Sequence, residues 1–362
     1  MTRDTMTFNR RDFAKAAGLA LAAGMTLRGG WAMAQAEADP RLAALEHVDP
    51  ELRPAARQVL AMSGQTGSFS DETLRAMRAG TPPSPPLLGD VPVREVQVPP
   101  QGALPGVTVQ VVNSGPGEGK PAILHTHGGG YILGSAKSEL RFLQETARTL
   151  GCTIVSVEYR LAPETRYTGS VADNYAGLLW LYRNAAELGV DRARIALMGE
   201  SAGGGHAALL AIAARDRGEV PLVLQALIYP MLDDRTGSTR QVPSHIGAIG
   251  WDAPANRFGW RSFLGAEPGG ADVPVAGVPA RLESLEGLAP AFVAVGGVDL
   301  FVSEDIDYAR RLTEAGVPTE LLLVPGAFHG FDRVAPDTRL AHLFTEAKHE
   351  ALRRAFGMEP IT

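Results

Sequence analysis

The stretch GESAGGG, residues 199–205, contains the pattern G-x-S-x-G, which can place a nucleophilic serine on a sharp turn between a strand and a helix. The chain has 41 glycines, so the pattern alone is a weak signal. Its surroundings strengthen it, because the apolar run RIALMG precedes it as a buried strand would, and AGGGHAALLAIAARDR follows with helical character. We therefore predict that Ser201 is a nucleophile and that the N–H of Ala202, at the helix start, stabilises developing negative charge.

A serine hydroxyl needs a base to take its proton, and the base needs an acid to orient it. His329 lies in VPGAFHGF, directly after the apolar run ELLLV, and Asp299 follows the apolar run AFVAVGG. Both runs read as strands, and active sites of parallel sheets form at the carboxyl ends of strands. These positions predict a triad of Ser201, Asp299 and His329, in the chain order that α/β-hydrolases use.

Other acids and histidines occupy less suitable places. Asp305 and Asp307 lie further along, inside the helix that follows Asp299, where we expect solvated side chains. Taken singly, Asp299 could also be a helix N-cap, and His329 a loop histidine. Other histidines are expected at surface, helix-packing, lid or final-helix positions: His47, His206, His245, His342 and His349.

HTHGGG, residues 125–130, follows the apolar run AIL. Ester hydrolysis passes through a tetrahedral oxyanion that N–H donors stabilise, and glycines let backbone amides approach a substrate closely. We predict an oxyanion hole formed by the N–H groups of Gly128, Gly129 and Ala202, with His127 shaping the loop. A phosphate-binding loop, the alternative, would need G-K-[ST] or G-x-G-x-x-G with a suitable acid, and neither follows here. Because H-E-x-x-H and clustered cysteines are also missing from the sequence, it implies no metal and no cofactor.

Short apolar runs alternate with helical segments through most of the chain, from AILHT at the first to ELLLVPG at the last. The helical segments are expected at about 138–150, 170–188, 202–217, 303–315 and 338–356. Continuous apolar strands that alternate with helices predict an α/β fold, with a mostly parallel sheet and helices on both faces. VREVQV and VTVQVV alternate apolar and polar residues, so they predict half-buried strands at its start.

Two segments depart from this alternation. Residues 39–84 are helical in pattern up to a proline cluster, and residues 233–288 are long, irregular and rich in glycine and proline. We expect both to form a cap over one end of the sheet of a catalytic domain that spans residues 85–360. The candidate walls of a substrate pocket are aromatic residues of the insertion, with core packing as the alternative: Trp251, Phe258 and Trp260.

The first residues predict an export signal. Arg10 and Arg11 precede a short apolar stretch, and an A-x-A cleavage pattern ends at Ala34, as in twin-arginine leaders. The apolar stretch is too short to span a bilayer comfortably. We expect residues 1–34 to be removed and the mature protein, without a transmembrane segment, to be periplasmic or secreted. An amphipathic helix that stays attached is the alternative.

Composition limits the class of partner. The formal net charge is −6 without a long run of like charge, which does not favour binding to nucleic acid or to an anionic membrane surface. The single cysteine, Cys152, excludes an intrachain disulfide, and its apolar surroundings predict a buried strand position. A small molecule is the expected partner.

Five motifs, in this order, resemble those of bacterial members of the hormone-sensitive-lipase family of esterases: HTHGGG, YRLAPE, GESAGGG, VGGVDLFVSED and YARRLTEAGVPTELLLVPGAFHGF. The resemblance covers about residues 85–356 and implies an α/β-hydrolase fold with a cap. It also implies a serine carboxylesterase for short- to medium-chain or aryl esters, with an acyl-enzyme on Ser201 and no cofactor. Within YRLAPE it gives Arg160 and Glu164 a bracing role rather than a reactive one.

Three features depart from that family. Asp299 is followed by Leu300 and Phe301 where many members have D-P-L, and Glu200 replaces the aspartate of G-D-S-A-G. The third departure is the twin-arginine leader, which most members of that family lack. An amidase or another acyl hydrolase would use the same triad, so it stays an alternative. A non-catalytic receptor on this scaffold is disfavoured, because Ser201, Asp299 and His329 are all retained.

Overall fold

The computed structural model describes residues 40–66, 69–80, 84–115 and 119–359. The expected leader at residues 1–34 and its cleavage site lie outside these ranges. The chain divides after Leu42 into two units, and the fold below is that of the second, which begins at Ala43. No helix within the described ranges combines the length and the apolar character needed to cross a bilayer.

Eight strands of the described residues form one sheet in the spatial order β1-β2-β4-β3-β5-β6-β7-β8. They are β1 (Val93–Val98), β2 (Val107–Val112), β3 (Lys120–Thr126), β4 (Thr153–Glu158), β5 (Val190–Glu200), β6 (Leu224–Ile228), β7 (Ala291–Gly296) and β8 (Thr319–Val324). Strand β2 runs antiparallel to β1 and β4, and the pairs from β4 to β8 are parallel. The expected mostly parallel α/β sheet is confirmed.

Helices connect the strands and cover the sheet. They are α1 (Arg53–Thr66), α2 (Asp71–Ala79), α3 (Leu140–Leu150), α4 (Tyr167–Arg183), α5 (Ala202–Arg217), α6 (Ala253–Leu264), α7 (Val302–Glu314), α8 (Phe331–Val334) and α9 (Arg339–Ala355). Short 3₁₀ helices add Lys137–Glu139, Val275–Gly277 and Pro279–Arg281, and a further one, Pro40–His47, includes the residue after which the chain divides. The helix expected over residues 170–188 begins earlier, at Tyr167, and ends at Arg183.

Burial of the strands follows their place in the sheet. Strands β6 and β7 are buried throughout, as their continuous apolar runs predict for the centre of a parallel sheet. Strand β8 is different, because it lies at the edge, and Leu321 and Leu323 are 40% and 44% exposed. The apolar run ELLLV of β8 is therefore not buried on both faces of the sheet.

The two segments expected to form a cap contact each other beside the glycine loop. The Phe69 ring lies 5.6 Å from the Trp251 ring and 5.7 Å from the Phe258 ring, between centroids. Arg78 of α2 donates from Nε to the Ile132 carbonyl oxygen at 2.9 Å. These contacts connect residues of both segments to the loop that follows HTHGGG. Their function as a cap stays a prediction.

Candidate active site

Ser201 occupies the turn between β5 and α5 with φ 57° and ψ −122°, a conformation that non-glycine residues rarely adopt. Such strain costs about 1–3 kcal/mol and persists only where the surroundings impose it. The end of β6 supplies that support, because Ser201 N–H donates to the Ile228 carbonyl and Met231 N–H donates to the Ser201 carbonyl, both at 2.9 Å. The serine is thereby presented at the carboxyl end of the sheet.

The glycines of GESAGGG are required by close packing around this turn. A Cβ added to Gly199 would overlap the carbonyl oxygen of Gly203, and a Cβ added to Gly203 would overlap the carbonyl oxygen of Thr126. Thr126 Oγ1 also donates to the Gly203 carbonyl at 2.7 Å. The start of α5 therefore packs directly on the end of β3, as a nucleophile elbow requires.

The structure brings the three predicted triad residues together. His329 Nε2 lies 2.9 Å from Ser201 Oγ, and His329 Nδ1 lies 2.8 Å from Asp299 Oδ2. Asp299 is completely buried, and its other oxygen, Oδ1, accepts the Phe301 N–H at 3.0 Å. Because a carboxylate only accepts, Nδ1–H donates to Asp299 and leaves Nε2 to accept the serine proton.

Backbone N–H groups of the predicted oxyanion hole are available beside Ser201. The Cβ that Gly128 lacks would lie 3.5 Å from Ser201 Cβ, which puts this glycine against the nucleophile. Among the described residues, neither Gly128 nor Gly129 donates its N–H to a protein acceptor. The N–H of Ala202, in the first turn of α5, has no acceptor within the helix. Gly129 has φ 119°, and its carbonyl closes a tight turn by accepting N–H groups of Ile132 and Leu133.

His127 is buried beneath this loop rather than aimed at Ser201. Its ring stacks on the Tyr159 ring, with centroids 4.0 Å apart and planes 8° apart, and Tyr159 OH donates to the His127 carbonyl at 2.7 Å. Burial lowers the pKa of His127 to about 4, so its ring is neutral at pH 7. This position suits the loop-shaping role expected from the sequence.

The three candidate pocket aromatics take different places. Trp251 lies against Gly130 of the oxyanion loop, where an added Cβ would overlap the indole, and its Nε1 donates to Asn256 Oδ1 at 3.2 Å. Phe258 is buried in the same group as Phe69. Trp260 has no exposed surface and belongs to an apolar cluster of the core, which is the packing alternative. Only Trp251 therefore combines partial exposure with contact to the loop.

The expectation that Asp305 is solvated is wrong. Its side chain is completely buried in the first turn of α7, and neither carboxylate oxygen has a hydrogen-bond partner among the described residues. Burial raises the pKa of Asp305 well above its usual value, and the nearby Glu304 and Asp299 add to the rise. Asp307 is half-buried and pairs with Arg310 at 2.8 Å. The inward face of α7 is thus more polar than its sequence indicates.

Sequence reasoning missed two contacts of the site. The sequence predicts no contact for Glu200, yet its Oε2 lies 2.9 Å from His125 Nε2. Tyr229, at φ 37°, places its ring edge-on to His329, with centroids 4.9 Å apart, and donates from its hydroxyl to Asp332 at 2.9 Å. Both residues lie at or just after a strand end, which is the signal that could have indicated them.

Known proteins resemble this chain in sequence and in fold. The profile of a family described as an alpha/beta hydrolase fold matches residues 123–333. A carboxylesterase, NlhH, of Mycobacterium tuberculosis is 37% identical over 65% of this chain and 74% of its own length. An ethyl acetate hydrolase of Pseudomonas putida is 33% identical over 59% of this chain and 66% of its own length.

Solved structures extend the likeness over most of the chain. A bacterial heroin esterase is 35% identical, with a TM-score of 0.73 over 86% of this chain and 99% of its own. The matched length, the elbow and the order of the motifs agree with the resemblance found in the sequence. The chain belongs to the hormone-sensitive-lipase family of the α/β-hydrolase superfamily.

Proposed function

We propose that this chain is a serine carboxylesterase in which Ser201 attacks the ester carbonyl carbon. His329 takes the hydroxyl proton as the Oγ–carbon bond forms, and Asp299 holds the imidazole in the required tautomer. The developing oxyanion receives hydrogen bonds from the N–H groups of Gly128, Gly129 and Ala202. The observation that carries this proposal is the pair of contacts, 2.9 Å and 2.8 Å, that His329 makes with Ser201 and Asp299 at a strained elbow.

The rest of the reaction follows from the same groups. The imidazolium of His329 protonates the leaving alkoxide, the carbon–oxygen bond of the ester breaks, and the alcohol departs. Ser201 then carries the acyl group. A water molecule gives its proton to His329 as it attacks this acyl-enzyme, and Ser201 Oγ leaves with the proton returned from the imidazolium.

Short- to medium-chain or aryl esters are the proposed substrates. The relative named carboxylesterase supports a carboxylic ester as substrate, and the relative named ethyl acetate hydrolase supports a small acyl group. The rings of Phe69 and Trp251 contact each other beside the oxyanion loop, with centroids 5.6 Å apart, and both side chains are partly exposed, so they offer aromatic surface against which an aryl group would pack. An amidase on the same triad is the second candidate function.

A panel of aryl esters that differ only in acyl length, together with a matched anilide, tests this assignment. We expect fast turnover of the short esters, much slower turnover of the anilide, and no turnover of either by Ser201→Ala. Full activity in Ser201→Ala would overturn the nucleophile, and equal rates on ester and anilide would favour the amidase. Tight binding of the esters without product release would point to a receptor.

Export by the twin-arginine route is proposed for the same protein. The support is the Arg10–Arg11 pair before a short apolar stretch with an A-x-A pattern. In a host with this route, cell fractionation should find the wild-type enzyme outside the cytoplasm and a variant with both arginines changed to lysine inside it. An unchanged distribution of the variant would contradict the proposal.

A further inference from the structure

A second serine–histidine–acid arrangement lies inside the sheet. Ser156 Oγ is 2.8 Å from His125 Nδ1, and His125 Nε2 is 2.9 Å from Glu200 Oε2. Ser156 and His125 have no exposed surface, and Glu200 is 8% exposed. We call Ser156, His125 and Glu200 the buried triad.

The buried triad crosses three neighbouring strands next to the elbow. His125 of β3 is directly paired with Ser156 of β4 on one side and with Met198 of β5 on the other. Glu200 follows Met198 by two residues, so it lies on the same face of the sheet. One peptide bond then separates Glu200 from Ser201. The side chains therefore link β4, β3 and β5 where the nucleophile turn begins.

The Glu200 carboxylate is ionised although it is buried. Burial raises its pKa, but His125, Lys348 and Arg333 together outweigh burial, and the pKa of Glu200 falls below its usual value. Lys348 of α9 is completely buried, and its Nζ lies 4.5 Å from the centroid of the Phe142 ring. Among the described residues this ammonium has no hydrogen-bond partner. Its charge attracts Glu200 through space rather than by a hydrogen bond.

This arrangement does not supply a second nucleophile. Ser156 lies within β4, is completely buried, and has no glycine turn beside it. The buried triad contains Glu200, the residue directly before Ser201, and the strained backbone of Ser201 needs support from its surroundings. The buried triad is therefore a structural hydrogen-bonded network rather than a reactive site.

We propose that the buried triad positions Ser201, because the reach of Glu200 to His125 fixes the end of β5 from which the elbow begins. The proposal rests on the proposed function of Ser201. It makes side-chain length at position 200 decisive. An aspartate is one methylene shorter and would not span the 2.9 Å contact without moving the backbone, whereas a glutamine keeps both the length and an oxygen acceptor.

Three variants, Glu200→Gln, Glu200→Asp and Glu200→Ala, test the proposal. An organophosphonate that reacts with the active serine counts the competent sites, and kcat on an aryl acetate is then expressed per site. We expect kcat of Glu200→Gln within about threefold of the wild type, and kcat of the other two lower by about tenfold, since misplacement of reacting groups costs rate. KM should change little in all three.

The matched control is Val190→Ala, which removes buried methyl groups at the opposite end of β5. It should lower the melting temperature while kcat per titrated site stays at the wild-type value. Wild-type kcat per site in Glu200→Asp and Glu200→Ala would overturn the positioning role. A wild-type enzyme that does not hydrolyse the aryl acetate would instead overturn the proposed function, so the two failures are distinguishable.

Discussion

The protein contains two serine–histidine–acid arrangements, the catalytic triad and the buried triad, and the contact distances within them are nearly equal. In one, His329 lies 2.9 Å from Ser201 and 2.8 Å from Asp299; in the other, His125 lies 2.8 Å from Ser156 and 2.9 Å from Glu200. The histidine is reversed between them, because Nε2 faces the serine in the first and the acid in the second. Hydrogen bonding alone therefore does not distinguish a catalytic group from a structural one.

The differences lie in the backbone and in access. Ser201 has φ 57° on a turn, and the His329 side chain is 12% exposed. The N–H groups of Gly128 and Gly129 lie beside Ser201 and donate to no acceptor in the described part of the chain. Ser156 is an ordinary residue within a buried strand. A substrate carbonyl and its oxyanion can reach only the first serine. The strand ends and the turn, rather than the residue types, separate the two functions.

The largest expected effect comes from replacing the serine of the catalytic triad by alanine, compared with the same replacement in the buried triad. Ser201→Ala removes the nucleophile and should lower kcat by about 10⁶-fold. Ser156→Ala removes the distal contact of the buried triad but leaves His125 on Glu200, so we expect kcat within about threefold of the wild type. Steady-state hydrolysis of an aryl acetate measures both effects. A comparable loss of kcat in Ser156→Ala would contradict the distinction between the catalytic triad and the buried triad.

The acid of the catalytic triad comes next. Asp299→Asn should lower kcat by about 10⁴-fold, because an amide no longer holds the imidazole in the tautomer that accepts the serine proton. Asp305→Asn is the matched control, since Asp305 is buried nearby but has no hydrogen bond to the imidazole. A small effect at Asp299 together with a large one at Asp305 would move the triad acid to Asp305.

How much the sequence could predict depends on whether the information was local. Ser201, Asp299 and His329 each follow an apolar run, and the carboxyl ends of parallel strands meet at one edge, so their meeting was predictable. The contact of His125 with Glu200 depends on β3 lying between β4 and β5, a spatial order that differs from the chain order. No local pattern carries that order.

Burial of polar residues was the weakest point for the same reason. Glu304 and Asp305 are adjacent in the first turn of α7. The helical pattern of α7 does not show that the segment beginning near Asp233 packs over these two residues and buries them. Glu304 in fact accepts the N–H groups of Leu232 and Asp233 through Oε1, at 2.7 Å and 3.1 Å, inside the protein. The edge position of β8, with exposed leucines, was likewise set by tertiary order.

A third prediction tests the backbone N–H groups of the oxyanion loop, which lie beside Ser201 of the catalytic triad and have no counterpart beside Ser156 among the described residues. Gly129→Ala would place a Cβ at φ 119° against the Leu133 carbonyl, so the loop must shift and displace its N–H donor. Because loss of one oxyanion donor costs about 10²–10³-fold, we expect kcat to fall by about 10²-fold. Gly151→Ala, at φ 60° where an added Cβ meets no described atom within 4 Å, controls for backbone strain. An equal effect of both variants would contradict the role of the loop.

The smallest expected effect is on the pH dependence of stability. Because the pKa of Glu200 is lowered in the folded protein, the unfolded chain binds more protons below pH about 4.3, and stability falls as the pH falls through that region. Glu200→Gln lacks this titration. Its melting temperature should therefore lie below that of the wild type at pH 6, and the gap should narrow as the pH falls below about 4.3. Calorimetry across this range measures the difference. A constant gap would show that the Glu200 charge does not stabilise the fold, and the buried triad would then act through hydrogen-bond geometry alone.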